Sequence, residues 1–179
     1  MSVLADIYVS RDDAEAVKYD SEPSTFADRE QYTSFTVLEL STLWAKKREV
    51  EWDVSLLDQF PSVLQQDDGE RAINRLPTAM TESLARLTSE QISVAATKWV
   101  ATDELACESG DVLPIIGGLV RLAQTASATG RSFISGIACK GSWRRIAISL
   151  TTDDPPRRLA GAQFSISEIA CFQHSFGQD

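Results

Sequence analysis

The sequence has few of the residues on which most catalytic and metal sites depend. It contains one histidine, His174, and three cysteines, Cys107, Cys139 and Cys171. A Ser-His-Asp triad or a multi-histidine metal site would have to use His174, and this argues against both. An odd number of widely spaced cysteines fits neither a disulfide framework nor a zinc knuckle. We therefore expect no metal, no cofactor and a reducing, cytoplasmic location.

Long apolar runs and clusters of positive charge are also lacking. No segment approaches the roughly 18 consecutive apolar residues of a membrane span, and residues 1–10 do not resemble a secretory signal. The net charge is -9. Binding to phosphate backbones or anionic lipids needs clustered lysine and arginine. The composition thus predicts neither a nucleic-acid partner nor a membrane partner.

What is present is an ordinary globular composition with an uneven distribution of charge. The 179 residues are 43% hydrophobic and 24% charged, which suits one folded domain. Residues 1–110 hold ten Lys/Arg against twenty-one Asp/Glu, a net of -11, whereas residues 131–179 hold six against four, a net of +2. We expect an acidic surface on the first part and a last quarter of different character.

Helix signals dominate the middle of the chain. Thr36 with Glu39 and Thr88 with Gln91 are two capping boxes, each followed by an apolar stripe at helical spacing. Helices are predicted from 36 to about 48–50, from 77 to 87, from 88 to about 105, and from 111 to 130. A short helix after Asp53 is predicted to turn Val54, Leu57 and Phe60 inward. The pair Gly117-Gly118 inside the last helix predicts a close neighbour, because glycine weakens a helix interior.

Strand signals are weaker and lie near both ends of this helical region. Alternation suggests strands at 3–9, 70–76 and 133–139, with 145–150 as a hairpin partner of the last one, whereas 10–31 is interpreted as a loop with one helical turn. The predicted fold class is α+β, a helix-rich single domain with a small antiparallel sheet or hairpin. We assign residues 1–135 to this domain and residues 136–179 to a C-terminal extension, a hairpin followed by a poorly ordered tail.

Four runs of sequence look familiar as a layout. They are LELSTLW (38–44), WDVSLLDQFP (52–61), GERAINRLP (69–77) and LTSEQISVAATKWVATDEL (87–105). They resemble a group of uncharacterised bacterial cytoplasmic proteins, and the order of elements is similar to the YfbM-like family, whose members are small, single-domain and without assigned activity. The resemblance covers roughly residues 1–135 and implies no catalytic residue. Because such proteins finish soon after the strand that follows the last helix, residues from about 135 onward would be an unrelated extension, an altered reading frame or a lineage-specific addition.

The candidate binding site is a tryptophan among acids. Trp44 and Trp99 lie on apolar stripes and are expected in the core, but Trp52 opens a helix beside Glu49, Glu51 and Asp53, where we expect a partly exposed contact residue. The first hypothesis is a non-enzymatic cytoplasmic protein-binding or regulatory protein whose acidic surface meets a basic protein partner.

The alternative is a carboxylate-dependent hydrolase, metal-assisted in one version, that uses acids among Glu49, Glu51, Asp53, Asp103 and Glu104. In a chain with twenty-six acids, local clusters are expected without any site. The sequence leaves the oligomeric state open.

Overall fold

The fold is a five-stranded antiparallel sheet with the four longer helices on one face and the short helices that follow the first strand on the other. The computed structural model describes residues 3–33, 35–66, 71–102, 105 and 107–139. The strands are β1 (Val3–Ser10), β2 (Arg29–Thr33), β3 (Ser62–Gln66), β4 (Arg71–Arg75) and β5 (Ser132–Cys139). The helices are α1 (Asp13–Ala16), α2 (Val37–Arg48), α3 (Thr78–Ala85), α4 (Ser89–Val100) and α5 (Ser109–Thr129), with 3₁₀ helices at Val17–Asp20, Pro23–Thr25 and Val54–Gln59. The predicted helix-rich α+β class is confirmed, with a sheet larger than a hairpin.

The strand order is β2-β1-β5-β4-β3, which makes β5 the central strand. It pairs with β1 from Ser132 to Cys139 on one side and with β4 from Ile134 to Ala138 on the other. Residues 136–139, assigned above to the extension, thus belong to the sheet. Both neighbours of β5 are in place, so this strand has no free edge for a hairpin partner; residues 145–150 lie outside the described residues.

The two faces of the sheet bury different sets of residues. Ala5, Ile7 and Val9 of β1 point towards the helices and join the main core. Tyr8 points the other way and stacks on Tyr19 at 4.1 Å between ring centroids, beneath the short helices that follow β1. Successive side chains of β1 therefore belong to two different cores, because both faces of this strand are covered.

Helix α5 lies against the sheet, and Gly118 is the point of close approach. A Cβ built on Gly118 would meet the hydroxyl of Tyr32 and would lie 3.2 Å from the Cγ and Cδ atoms of Glu30, whereas nothing lies within 4 Å of one built on Gly117. The Tyr32 hydroxyl lies 3.4 Å from the Ile115 carbonyl oxygen, to which it donates. The predicted close neighbour is confirmed for Gly118 alone.

By length and apolar composition α5 also satisfies the requirement for crossing a membrane, a test that core helices of soluble proteins pass as well. In this fold it packs against α3, α4 and β1. Its inward residues are buried: Val112, Ile115, Ile116, Leu119, Val120, Leu122, Ala123 and Ala126.

The helix starts predicted at Thr36 and Thr88 are confirmed, but the start predicted at Asp111 and one helix end are wrong. Helix α5 begins at Ser109, because Glu108 is its N-cap and Asp111 lies in its first turn, where the carboxylate accepts from the Glu108 N–H at 3.0 Å. Both capping boxes form, with the Thr36 N–H donating to Glu39 at 2.7 Å and the Thr88 N–H donating to Gln91 at 3.0 Å. Helix α4 ends at Val100 rather than near 105. The backbone N–H and the hydroxyl of Thr102 both donate to the Trp99 carbonyl oxygen, which closes the helix.

The sequence prediction missed the two edge strands. Residues 10–31 were expected to be a loop with one helical turn. Helix α1 supplies a helical turn, but β2 begins at Arg29, and β3 was not predicted at all. An edge strand shows little alternation, because one side of its backbone and most of its side chains meet solvent. In β2 only Tyr32 is buried.

Candidate functional site

The candidate residues lie where α2 ends and the chain turns away. Glu49 adopts the left-handed conformation with φ 56° and ψ 38°, and its N–H donates to the carbonyl oxygens of Ala45 and Lys46. In the described ranges it is the one non-glycine residue with positive φ. L-residues rarely adopt this conformation. The turn at Glu49 stops the helix and directs the following acids into solvent.

Trp52 fixes this segment to α2. Its indole nitrogen donates to the Ser41 hydroxyl oxygen at 2.8 Å, and that hydroxyl donates to the Leu38 carbonyl oxygen at 2.7 Å. Ser41 is fully buried, whereas Trp52 is half-buried. One side of the indole therefore serves the fold and another side remains accessible.

The three acids around Trp52 do not converge. The Glu49 carboxylate accepts a hydrogen bond from the Lys98 Nζ atom at 2.7 Å, and this bond lowers the pKa of Glu49. The Asp53 carboxylate caps the 3₁₀ helix by accepting from the Ser55 N–H at 2.9 Å, and hydrogen bonding to Ser55 lowers the pKa of Asp53. Glu51 is exposed. Glu49 and Asp53 are each bound to a different group and Glu51 is exposed to solvent, so no two of these acids form an acid–base pair.

Nothing in the described ranges gathers metal ligands. No group of three or more His, Cys, Asp or Glu side chains there is placed to hold a metal ion. Asp103 and Glu104, the other two acids of the hydrolase hypothesis, lie outside the described residues, as does His174. Trp44 and Trp99 are buried, as predicted.

One part of the prediction for this segment is wrong: a valine that was expected in the core lies on the surface. Val54 was expected to point inward with Leu57 and Phe60, but it is 61% exposed, and Leu56 is buried with Phe60 instead. The segment is a 3₁₀ helix that ends at Gln59, and Phe60 has a non-helical backbone, so a stripe at α-helical spacing does not continue through it.

Residues 49–58 therefore form a surface that we call the acidic ridge. It carries four acids and no lysine or arginine. The acids are Glu49, Glu51, Asp53 and Asp58, all exposed. Between them lie Val50, 41% exposed, Val54 and half-buried Trp52. Sequence reasoning missed Val54 and Asp58 as members. For Val54 the available signal was the alternation of acids with apolar residues from 49 to 54.

A groove of about 280 Å³ borders the ridge between α2 and α4. Its floor is largely apolar and includes Leu43, Leu87 and Val94, the last of these 51% exposed. Lys46 and Lys47 line the groove from α2, and Glu90 and Lys98 line it from α4. The Glu49–Lys98 pair joins the groove to the ridge. The acidic ridge and a groove with positive charge on one wall are thus parts of one surface.

Comparison with protein-family models, with curated proteins and with solved structures finds no match for this chain. The resemblance described from the sequence stays a prediction.

Proposed function

We propose that the protein is a non-enzymatic, cytoplasmic protein-binding or regulatory protein and that the acidic ridge contacts a basic partner protein. The observation that carries this proposal is that two valines and part of a tryptophan are exposed among the four acids of the ridge. Of these acids only Glu49 forms an ion pair in the described ranges. Interfaces commonly combine an aromatic anchor and apolar contacts with a polar rim. Four negative charges on ten residues favour lysine-rich or arginine-rich surfaces.

The backbone of the ridge supports the same function. Asp53 caps the 3₁₀ helix and Trp52 is anchored on Ser41, so the segment is fixed before a partner arrives. A surface that is already ordered loses less conformational entropy on binding. The ridge is therefore suited to rigid docking.

A pull-down with matched charge reversals tests the proposal. Immobilised wild-type protein should retain a specific partner from a lysate of its native host at low salt and release it as salt rises, because exposed charge pairs are screened. Glu51→Lys should abolish retention. Glu22→Lys makes the same chemical change at an exposed position outside the ridge and should leave retention unchanged.

Two results would contradict the proposal. One is the absence of any specifically retained protein at low salt. The other is equal loss of retention in Glu51→Lys and Glu22→Lys, which would show that net charge, rather than the ridge, governs the binding.

A further inference from the structure

The acidic ridge follows directly upon a block of opposite charge. The last turn of α2 carries Lys46, Lys47 and Arg48, and the next ten residues carry the four acids of the ridge. Lys47 and Arg48 are exposed and Lys46 is half-buried. The surface therefore presents a positive block and a negative block side by side.

Most of these charges have no partner of the opposite sign within the described ranges. Glu49 is paired with Lys98, and the Arg48 guanidinium lies 5.5 Å from the centre of the Trp44 ring. The charges without an ion pair there are those of Lys46, Lys47, Arg48, Glu51, Asp53 and Asp58. Lys47 adds a smaller contribution than Lys98 to the lowered pKa of Glu49, but no ion pair joins the two blocks in the described ranges, so both can attract a second molecule.

Exposed apolar side chains gather at the same place. The described residues include four exposed large hydrophobic side chains, and three of them, Val50, Val54 and Val94, belong to the ridge or the groove. Exposed apolar side chains within and beside charged surface are typical of a protein interface.

A surface with a positive block followed by a negative block is complementary to itself. When a two-fold axis passes between the two blocks, the positive block of each copy meets the negative block of the other. We propose that the ridge of one copy docks at the basic end of α2 and the α2–α4 groove of a second copy, and reciprocally, in a symmetric dimer. This inference rests on the proposed function, because it names the basic surface that the ridge meets.

A charge-swap experiment tests the dimer directly. One variant carries Lys46→Glu, Lys47→Glu and Arg48→Glu, which changes the basic end of α2 from +3 to -3. The other carries Glu49→Lys, Glu51→Lys and Asp58→Lys, which changes the ridge from -4 to +2 and leaves the Asp53 cap in place. In a homodimer of either variant, like charges would meet at both contacts. In a mixed dimer one contact has the native signs and the other has the reversed but still opposite signs, so attraction returns at both.

Sedimentation velocity at low salt measures the outcome. We expect the wild type and the Glu22→Lys control to be dimers, each triple variant to be a monomer at the same concentration, and the equimolar mixture of the two triple variants to recover the dimer. Since recovery requires folded variants, it also excludes misfolding as the cause of the monomers. A circular dichroism spectrum of each variant alone provides the same check.

Three results would overturn the inference: a monomeric wild type at the highest soluble concentration, triple variants that dimerise as strongly as the wild type, or folded triple variants that stay monomeric when mixed. If one of these occurs while the Glu51-dependent retention of a different protein persists, the proposed function stands and only the dimer is lost. If that retention is absent too, both proposals are lost.

Discussion

Two tryptophans dock on neighbouring residues of α2 and yet belong to different parts of the molecule. Trp99 donates its indole N–H to the Thr42 hydroxyl oxygen at 3.0 Å and is completely buried. Trp52 makes the same kind of bond to Ser41 at 2.8 Å but is only half-buried. The hydrogen bond is shared, so the difference lies in packing. The core holds its residues by burial from all sides, whereas the acidic ridge holds its residues by local hydrogen bonds and leaves their other sides to solvent.

The largest expected effect separates these two tryptophans. Trp99→Ala should lower the free energy of unfolding by about 3–5 kcal/mol, because a large buried side chain leaves a cavity. Trp52→Ala should cost about 1 kcal/mol. Urea unfolding measures both, with Trp99→Phe as the milder variant if Trp99→Ala does not fold. Equal losses at the two positions would show that the ridge is as tightly packed as the core.

The two glycines of α5 test the same contrast within one helix. Alanine at either position should gain up to about 1 kcal/mol of helix stability. At Gly118 the added methyl group also meets the Tyr32 hydroxyl and Glu30, and overpacking costs about 1–3 kcal/mol. We expect Gly117→Ala to raise the thermal midpoint of unfolding. The midpoint of Gly118→Ala should be lower than that of Gly117→Ala, because only Gly118→Ala carries the overpacking cost. Two variants with the same midpoint would contradict the close approach.

Polar groups behave oppositely in the two regions. Ser135 is fully buried in β5, and its hydroxyl has no hydrogen-bond partner in the part of the chain that the structure describes. Ser135→Ala should therefore leave the free energy of unfolding unchanged or raise it by up to about 1 kcal/mol. Destabilisation by Ser135→Ala would reveal a partner for its hydroxyl.

On the ridge, Asp53→Ala removes a cap from the 3₁₀ helix and should lower the urea midpoint.

The smallest expected effect is a pH dependence of the stability that the Glu49–Lys98 pair contributes. The hydrogen bond and charge of Lys98 lower the pKa of Glu49 in the folded protein below its ordinary value. The resulting stabilisation is complete above the ordinary pKa of a glutamate and disappears as the pH falls through the lowered pKa. Lys98→Met should remove this component, so the difference in urea midpoint between wild type and variant should shrink in acid. A difference that stays constant down to acidic pH would exclude the pair as its source.

The sequence predicted what local chemistry determines. Thr36 and Thr88 mark helix starts because a cap and its partner lie within four residues of each other. The bend at Glu49 and the close approach at Gly118 also leave local signals. The inward turn of Leu56 in place of Val54 does not, since the choice between 3₁₀ and α-helical spacing depends on what the segment packs against. The acids around Trp52 were recognised as a group, but that they would face separate surroundings depends on Lys98, which is distant in sequence.

The central position of β5 carries a consequence for how the chain matures. It comes last among the five strands in order of synthesis, yet β1 and β4 meet only through it. While a ribosome is still adding residues before Ser132, β1 with β2 and β3 with β4 can form only as two separate ladders, each with an uncovered inner edge. Joining of the two ladders must wait for the final strand, so a nascent chain stalled at that stage would present the kind of unpaired edges that recruit chaperones or nucleate aggregates.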